Sequence, residues 1–176
     1  DVSAHQQSAL LAVEDPDFYA HNGIDLHTPG AGYTTITQSL VKAYFFDGFS
    51  PGWLRQRKIK QTLIAWVFNR RVAKPVQLWL FVNSVYLGQH SGQAVNGFQQ
   101  GARAYFNKEF GALSEDEYLS LVATIIAPNE LNIAASPAKN RERVNRIKRL
   151  LSGTCHPVDL ADVYYQQCAV APEGNL

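Results

Sequence analysis

The chain has no methionine and only two cysteines in 176 residues, Cys155 and Cys168. A zinc centre lacks ligands here, because only His156 sits beside that pair and a structural zinc needs four. Two readings of the cysteines stand: one disulfide tying down the C-terminal segment in an oxidising compartment, or two unlinked thiols. No apolar run reaches the roughly 18 residues of a membrane-crossing helix. The uncharged stretch 75–102 is broken by Gln, Asn, Ser and Gly. No signal peptide opens the chain, which starts at Asp1 in the manner of an excised domain. Net charge is only +1, which excludes a uniformly basic nucleic-acid coat. What remains is 46% hydrophobic and 18% charged, the composition of a folded domain or of two small lobes around one core.

The small net charge hides blocks. Residues 1–41 carry five acids and no Lys or Arg, whereas residues 42–74 carry eight bases against Asp47. An acidic opening followed by a basic block suits a carboxylate working beside bound anions; solvated helix faces give the same pattern. A second basic block spans 139–149, but its six bases spread around more than one helix face, which favours a structural helix over a nucleic-acid contact.

Periodicity and punctuation predict a mainly α protein. Ser3 and Gln6 are spaced for a capping box ahead of a helix over 4–13, and Pro16 resists its continuation. Further helices are expected over 35–46, 54–72, 75–86, 99–106, 118–127, 137–151 and 159–168. Ile59, Leu63, Trp66 and Val67 give the second of these its helical spacing. Residues 88–97 read as a Gly/Ser/Gln loop. Ser114 and Glu117 form another capping box.

Two segments carry candidate chemistry. In the first, Glu14-Asp15-Pro16-Asp17 follows an apolar helix directly, so partial burial can raise a carboxyl towards the range of a general base. A helix-ending acidic turn has the same composition. In the second, Gly32-Tyr33-Thr34-Thr35-Ile36-Thr37-Gln38 sets hydroxyls and an amide after a glycine loop, where they suit either a polar cleft or a helix cap.

These segments resemble a known family. Glu14-Asp15-x-x-Phe18-x-x-His21-x-Gly23 resembles the first motif of glycosyltransferase family 51, the peptidoglycan glycosyltransferases of penicillin-binding proteins and their monofunctional counterparts. Residues 32–42 are similar to the second motif, with Thr34 for the usual Ser and Ser39 for a usual Gln. Arg57-Lys58-Ile59-Lys60 resembles the start of the third. Residues 74–88 follow the fourth, keeping Asn83, Tyr86, Leu87 and Gly88, and 141–151 resembles the Arg-rich fifth. The third motif's usual second glutamate falls at Gln61, an arginine eight positions earlier at Trp53, and the fourth motif's Glu and Tyr at Trp79 and Phe81.

The resemblance implies a lysozyme-like two-lobe fold over 1–151, with a jaw lobe at about 43–56, and a C-terminal extension, 152–176, packed on the same domain. It implies polymerisation of lipid II into glycan strands with release of undecaprenyl pyrophosphate. Glu14 matches the general base, and Gln61 stands at the second catalytic-site acid, a replacement that implies impairment. Asp15, Phe18, His21, Thr34, Thr35, Thr37, Gln38 and Asn83 are expected to bind substrate, with Lys42, Arg55, Arg57 and Lys58 holding the pyrophosphate. A divalent cation, Mg or Mn, assists relatives, but Gln61 weakens that expectation. The aromatic segment 44–53 followed by bases has the pattern of a lipid-interface contact. Location at the outer face of the cytoplasmic membrane follows, with an anchor outside this sequence. The alternative is a non-catalytic module of the same fold binding lipid II, glycan or a cell-wall partner.

Overall fold

The computed structural model describes residues 2–46 and 54–168, with side chains in the second stretch from Lys58 onward. In chain order the elements are α1 (Ala4–Glu14), α2 (Ile36–Phe45), α3 (Leu54–Arg71), α4 (Lys74–Ser84), β1 (Tyr86–His90), β2 (Gln93–Asn96), α5 (Phe98–Phe106), α6 (Glu115–Thr124) and α7 (Pro137–Leu151). Short 3-10 turns occupy Phe110–Ala112 and Gln166–Cys168. The described chain is mainly α.

Helix starts follow local chemistry. Ser3, Thr35 and Ser114 each accept the backbone N–H three residues on, while Gln6, Gln38 and Glu117 reach back to the cap residue's own N–H. Each box satisfies N–H groups that an α-helix leaves orphaned at its first turn. α6 is the central helix. Leu119, Leu121, Val122 and Ala123 are all buried, and α1, α5, α7 and the β1–β2 hairpin pack around them. Phe98, Phe110 and Tyr118 close one end in a cluster of edge-on and tilted rings.

α2 is held differently, by buried polar groups shared with α3 and α4. Thr37 Oγ1 donates to Gln77 Oε1 at 2.6 Å, and Gln77 Nε2 donates to Asn69 Oδ1 and the Val72 carbonyl. Gln38 Nε2 donates to Thr62 Oγ1, and Gln61 Nε2 donates to the Gln38 carbonyl at 2.8 Å. Buried amides are tolerated because they are paired.

Two sequence expectations need correction. Residues 88–97 are a hairpin, because Ser91 and Gly92 both adopt positive φ, the two-residue turn that joins paired strands. The expected helix over 159–168 is reduced to the turn Gln166–Cys168, since the backbone N–H groups of Gly30 and Gly32 take the carbonyls of Asp159 and Leu160. The expected helix over 54–72 is α3, and its apolar residues Ile59, Leu63, Trp66 and Val67 are exposed. The jaw lobe expected at 43–56 and the aromatic segment 44–53 lie mostly outside the described residues. Of them, Tyr44 and Phe45 are exposed at the end of α2.

Asn140 joins α7 to α6 and to the loop between them. Its Nδ2 group is buried and shared among the Ser120 carbonyl, Thr124 Oγ1 and the Leu131 carbonyl at 3.0–3.1 Å. Asn140→Ala removes all three bonds from this buried junction, leaves a void, and is expected to cost about 2 kcal/mol, lowering Tm by roughly 4–8 °C in a thermal melt.

Candidate active site

The site forms where α1 ends. Asp15 is fully buried, and both of its oxygens are occupied. Oδ1 accepts from His21 Nε2 at 2.8 Å, and Oδ2 accepts from the Ile36 N–H at 2.9 Å. That N–H belongs to the first turn of α2, where an anion is favoured by the helix dipole. His21 Nδ1 accepts from the Gly23 N–H, so its proton resides on Nε2. Gly23 has φ +90°, and a Cβ there would lie 2.8 Å from the Ala65 carbonyl oxygen. Its own carbonyl accepts from Thr35 Oγ1 at 2.8 Å. The turn after α1, the start of α2 and the middle of α3 are therefore locked together.

This lock presents Glu14 at the mouth of a cleft of ≈290 Å³. The walls include Gly32, Tyr33, Thr34, Ile126, Arg143 and Val163. Glu14 accepts no hydrogen bond among the described residues. Burial pushes its carboxyl up to about 7; Arg143 opposes the rise and the charge of Asp15 adds to it. Arg143 is itself buried, with Nε and Nη1 unbonded.

Lys58 Nζ donates to the Tyr33 carbonyl at 2.8 Å and to Thr34 Oγ1 at 3.2 Å, and so is tied to two of the residues that line the cleft. Burial and the neighbouring charge of Lys42 both hold Lys58 below the usual lysine range. Lys42 is exposed near the end of α2.

The structure sets Glu14 and Thr34 in one cleft, ties Lys58 to Thr34, and places Lys42 close enough to Lys58 for their charges to interact. Asp15, Phe18, His21, Thr35, Thr37 and Gln38 lie beneath the cleft as its supports; all are buried except His21, whose side chain is nearly so. Substrate contact is expected of all six; here they are buried or nearly so, and Asp15, His21, Thr35, Thr37 and Gln38 are engaged in the internal bonds above. Gln61 is buried against the Gln38 carbonyl. Asn83 lies apart, lining a second cavity of ≈450 Å³ with Tyr19, Trp79 and Gln99. The side chains of Arg55 and Arg57 lie outside the described residues.

Among the described residues a divalent cation finds no protein donor set. The described residues contain no group of three or more His, Cys, Asp or Glu able to hold one. Asp15 is fully engaged, and Gln61 turns its amide N–H to a backbone carbonyl.

Sequence reasoning missed Arg143, Tyr33 and the wall formed by 159–165. Arg143 left a trace. The buried face of α7 runs Asn140, Arg143, Val144, Ile147, so a helical core period falls on an arginine.

The comparisons with known proteins agree with this geometry. The transglycosylase family profile matches residues 28–152. Penicillin-binding protein 1B of Escherichia coli is 33% identical over 81% of this chain and 18% of its own length. Penicillin-binding protein 1B of Vibrio cholerae is 30% identical over 93% of the chain and 22% of its own length. Penicillin-binding protein 1F of Bacillus subtilis is 32% identical over 86% and 22%, respectively. The chain spans about a fifth of the length of these relatives. A carboxyl raised by burial in a cleft of a mainly α body, and a family match over most of the chain, lead to one conclusion: the chain belongs to the transglycosylase family, glycosyltransferase family 51, and has its lysozyme-like fold.

Proposed function

We propose that this chain is a peptidoglycan glycosyltransferase unit that polymerises lipid II at the outer face of the cytoplasmic membrane. The observation that carries the reading is Glu14, raised to about 7 and set in one cleft with the Tyr33–Thr34 wall to which Lys58 is bound. In the reaction, a sugar hydroxyl of the acceptor attacks the donor's anomeric carbon. The hydroxyl proton passes to Glu14, the bond from that carbon to the pyrophosphate oxygen breaks, and the configuration inverts. Negative charge then develops on the leaving diphosphate, where Lys42 and Lys58 stabilise it. A carboxyl near 7 is matched to taking that proton at neutral pH.

Contact with the bilayer is part of the proposal, because the substrate is lipid-linked. Tyr44 and Phe45 on α2 and Ile59, Leu63, Trp66 and Val67 on α3 offer exposed apolar surface, and Arg70 sits over the Trp66 ring. No helix among the described residues is long and apolar enough to cross a membrane.

Labelled lipid II incubated with the wild type is expected to yield polymer. Glu14→Gln should lower kcat by roughly 10²–10⁴-fold, the usual contribution of a general base. A wild type that binds lipid II without polymerising it would instead establish the non-catalytic module.

The pH dependence has a definite sign. Glu14 must be ionised to act, so kcat/KM should rise with pH through a midpoint of about 7. Arg143→Met removes the cation that favours ionisation and should move the midpoint upward. Stability runs the other way. The native carboxyl binds its proton more tightly than the unfolded one, so stability falls as pH rises from the ordinary carboxylate range through about 7. Glu14→Gln should therefore melt higher than wild type at pH 8 while losing activity, a trade of stability against function.

Gln61→Glu is expected to give no gain in polymer. The new carboxylate would face the Gln38 carbonyl, an acceptor against an acceptor. The cost should be about 1–3 kcal/mol, read as a drop in Tm.

A further inference from the structure

We propose that the C-terminal segment 155–168, closed by the Cys155–Cys168 disulfide, is a positioning element for the reacting carboxylate and acts through Tyr165. The inference rests on the reading of Glu14 as the base.

The segment lies past the residues that the family profile matches, which end at 152. It nevertheless builds one wall of the Glu14 cleft, through Ala161 and Val163. Cys155 and Cys168 are joined by a disulfide, which returns the chain to the end of α7. α7 holds the returning strand by its carbonyls. Arg146 Nη1 donates to the Tyr164 carbonyl at 3.0 Å, and Arg149 Nη1 donates to the Cys168 carbonyl at 2.7 Å. On its other side the segment grips the glycine loop. The Gly30 and Gly32 N–H groups donate to the Asp159 and Leu160 carbonyls. The approach is too close for side chains: a Cβ on Gly30 would lie 2.9 Å from the Tyr165 ring, and one on Gly32 2.8 Å from Val163.

Tyr165 is the inward-pointing residue of this strap. It is 1% exposed and has φ +51°, a left-handed conformation uncommon for a bulky residue and held here by surrounding contacts. Its hydroxyl donates to the Val13 carbonyl at 2.7 Å. Val13 immediately precedes Glu14, and its carbonyl lies in the last turn of α1, where no further helical N–H can pair with it. Tyr165 therefore fastens the peptide that carries Glu14. The same ring supports the Arg143 guanidinium, 4.2 Å from its centroid. One side chain thus sets both the carboxylate's backbone and the cation beside it. The charged or titratable groups facing Glu14 are Asp15 on its own turn, Arg143 on α7 and Tyr165 on the strap.

Two variants test this. Tyr165→Phe keeps the ring and removes the hydroxyl, which bonds the Val13 carbonyl and also the Arg143 guanidinium. The paired Cys155→Ser and Cys168→Ser exchange opens the strap and leaves Tyr165 in the chain. With lipid II, both should lower kcat roughly tenfold while KM stays within about twofold, because a group that positions the base is felt in the chemical step. The acid limb of the pH profile should move below that of the wild type as water reaches Glu14. Carbon-detected NMR titration of the Glu14 carboxyl, run without substrate, should show the same downward shift. Unchanged titration midpoint, pH limb and kcat in both variants would overturn the proposal. Equal polymerisation by the wild type and Glu14→Gln would instead remove the reading of Glu14 as base. The substrate-free titration would still decide whether Tyr165 controls that carboxyl.

Discussion

Asp15 occupies the point on which the site depends. A carboxylate with no exposure to water is costly unless its oxygens are bonded, and here a histidine N–H and a helix N-terminal N–H bond them. The two donors come from segments that local sequence does not hold together: a loop after α1 and the first turn of α2. By accepting from both, Asp15 fixes the direction in which the chain leaves α1, and hence where Glu14 points. It also fixes where α2 begins, and so the Tyr33–Thr34 rim that carries Lys58. Neighbouring acids divide the work: the buried one is structural, and the half-buried one faces the cleft.

Charge in the cleft is arranged with unrelieved tension. Glu14 is held against its preference to ionise, Lys58 is crowded by Lys42, and Arg143 keeps two buried N–H groups unpaired. Each is a cost to the folded state; in the proposed reaction the hydroxyl proton would relieve the first and the diphosphate the second. The surrounding body is correspondingly well satisfied, with three capping boxes and a network of paired buried amides tying α2 to α3 and α4. Strain is concentrated where chemistry is proposed, and its cost is offset by the helices that frame it.

The departures from the family pattern separate in space. Gln61 lies inside the α2–α3 contact, bonded to a backbone carbonyl, whereas Trp79 is largely exposed beside the second cavity with Tyr19 and Asn83. One altered position therefore bears on packing and the other on an exterior surface. Neither lines the cleft that holds Glu14.

The helices were legible in the sequence because their signals are local. Ser3 with Gln6 and Ser114 with Glu117 need only three residues to declare a helix start, and Pro16 needs only itself to stop one. Glu14, Thr34 and Lys58 could be named from the resemblance to the family's motifs, because that chemistry needs particular residue types in a particular order. Burial and partnership were not legible in that way. Thr37, Gln38 and Gln61 look like cleft residues along the chain, but their partners lie on neighbouring helices. The stripe from Ile59 to Val67 has the period of a core face and yet is exposed, since periodicity reports that a helix has an apolar side but not what covers it. Arg143 and Tyr165 meet Glu14 across more than a hundred residues of chain. The sequence by itself determined the helical elements, their caps and the order of the chemical groups. Only the tertiary structure decided which acid faces the cleft, which is buried, and which side chain holds the reacting one in place, because those outcomes depend on contacts between segments that the chain keeps far apart.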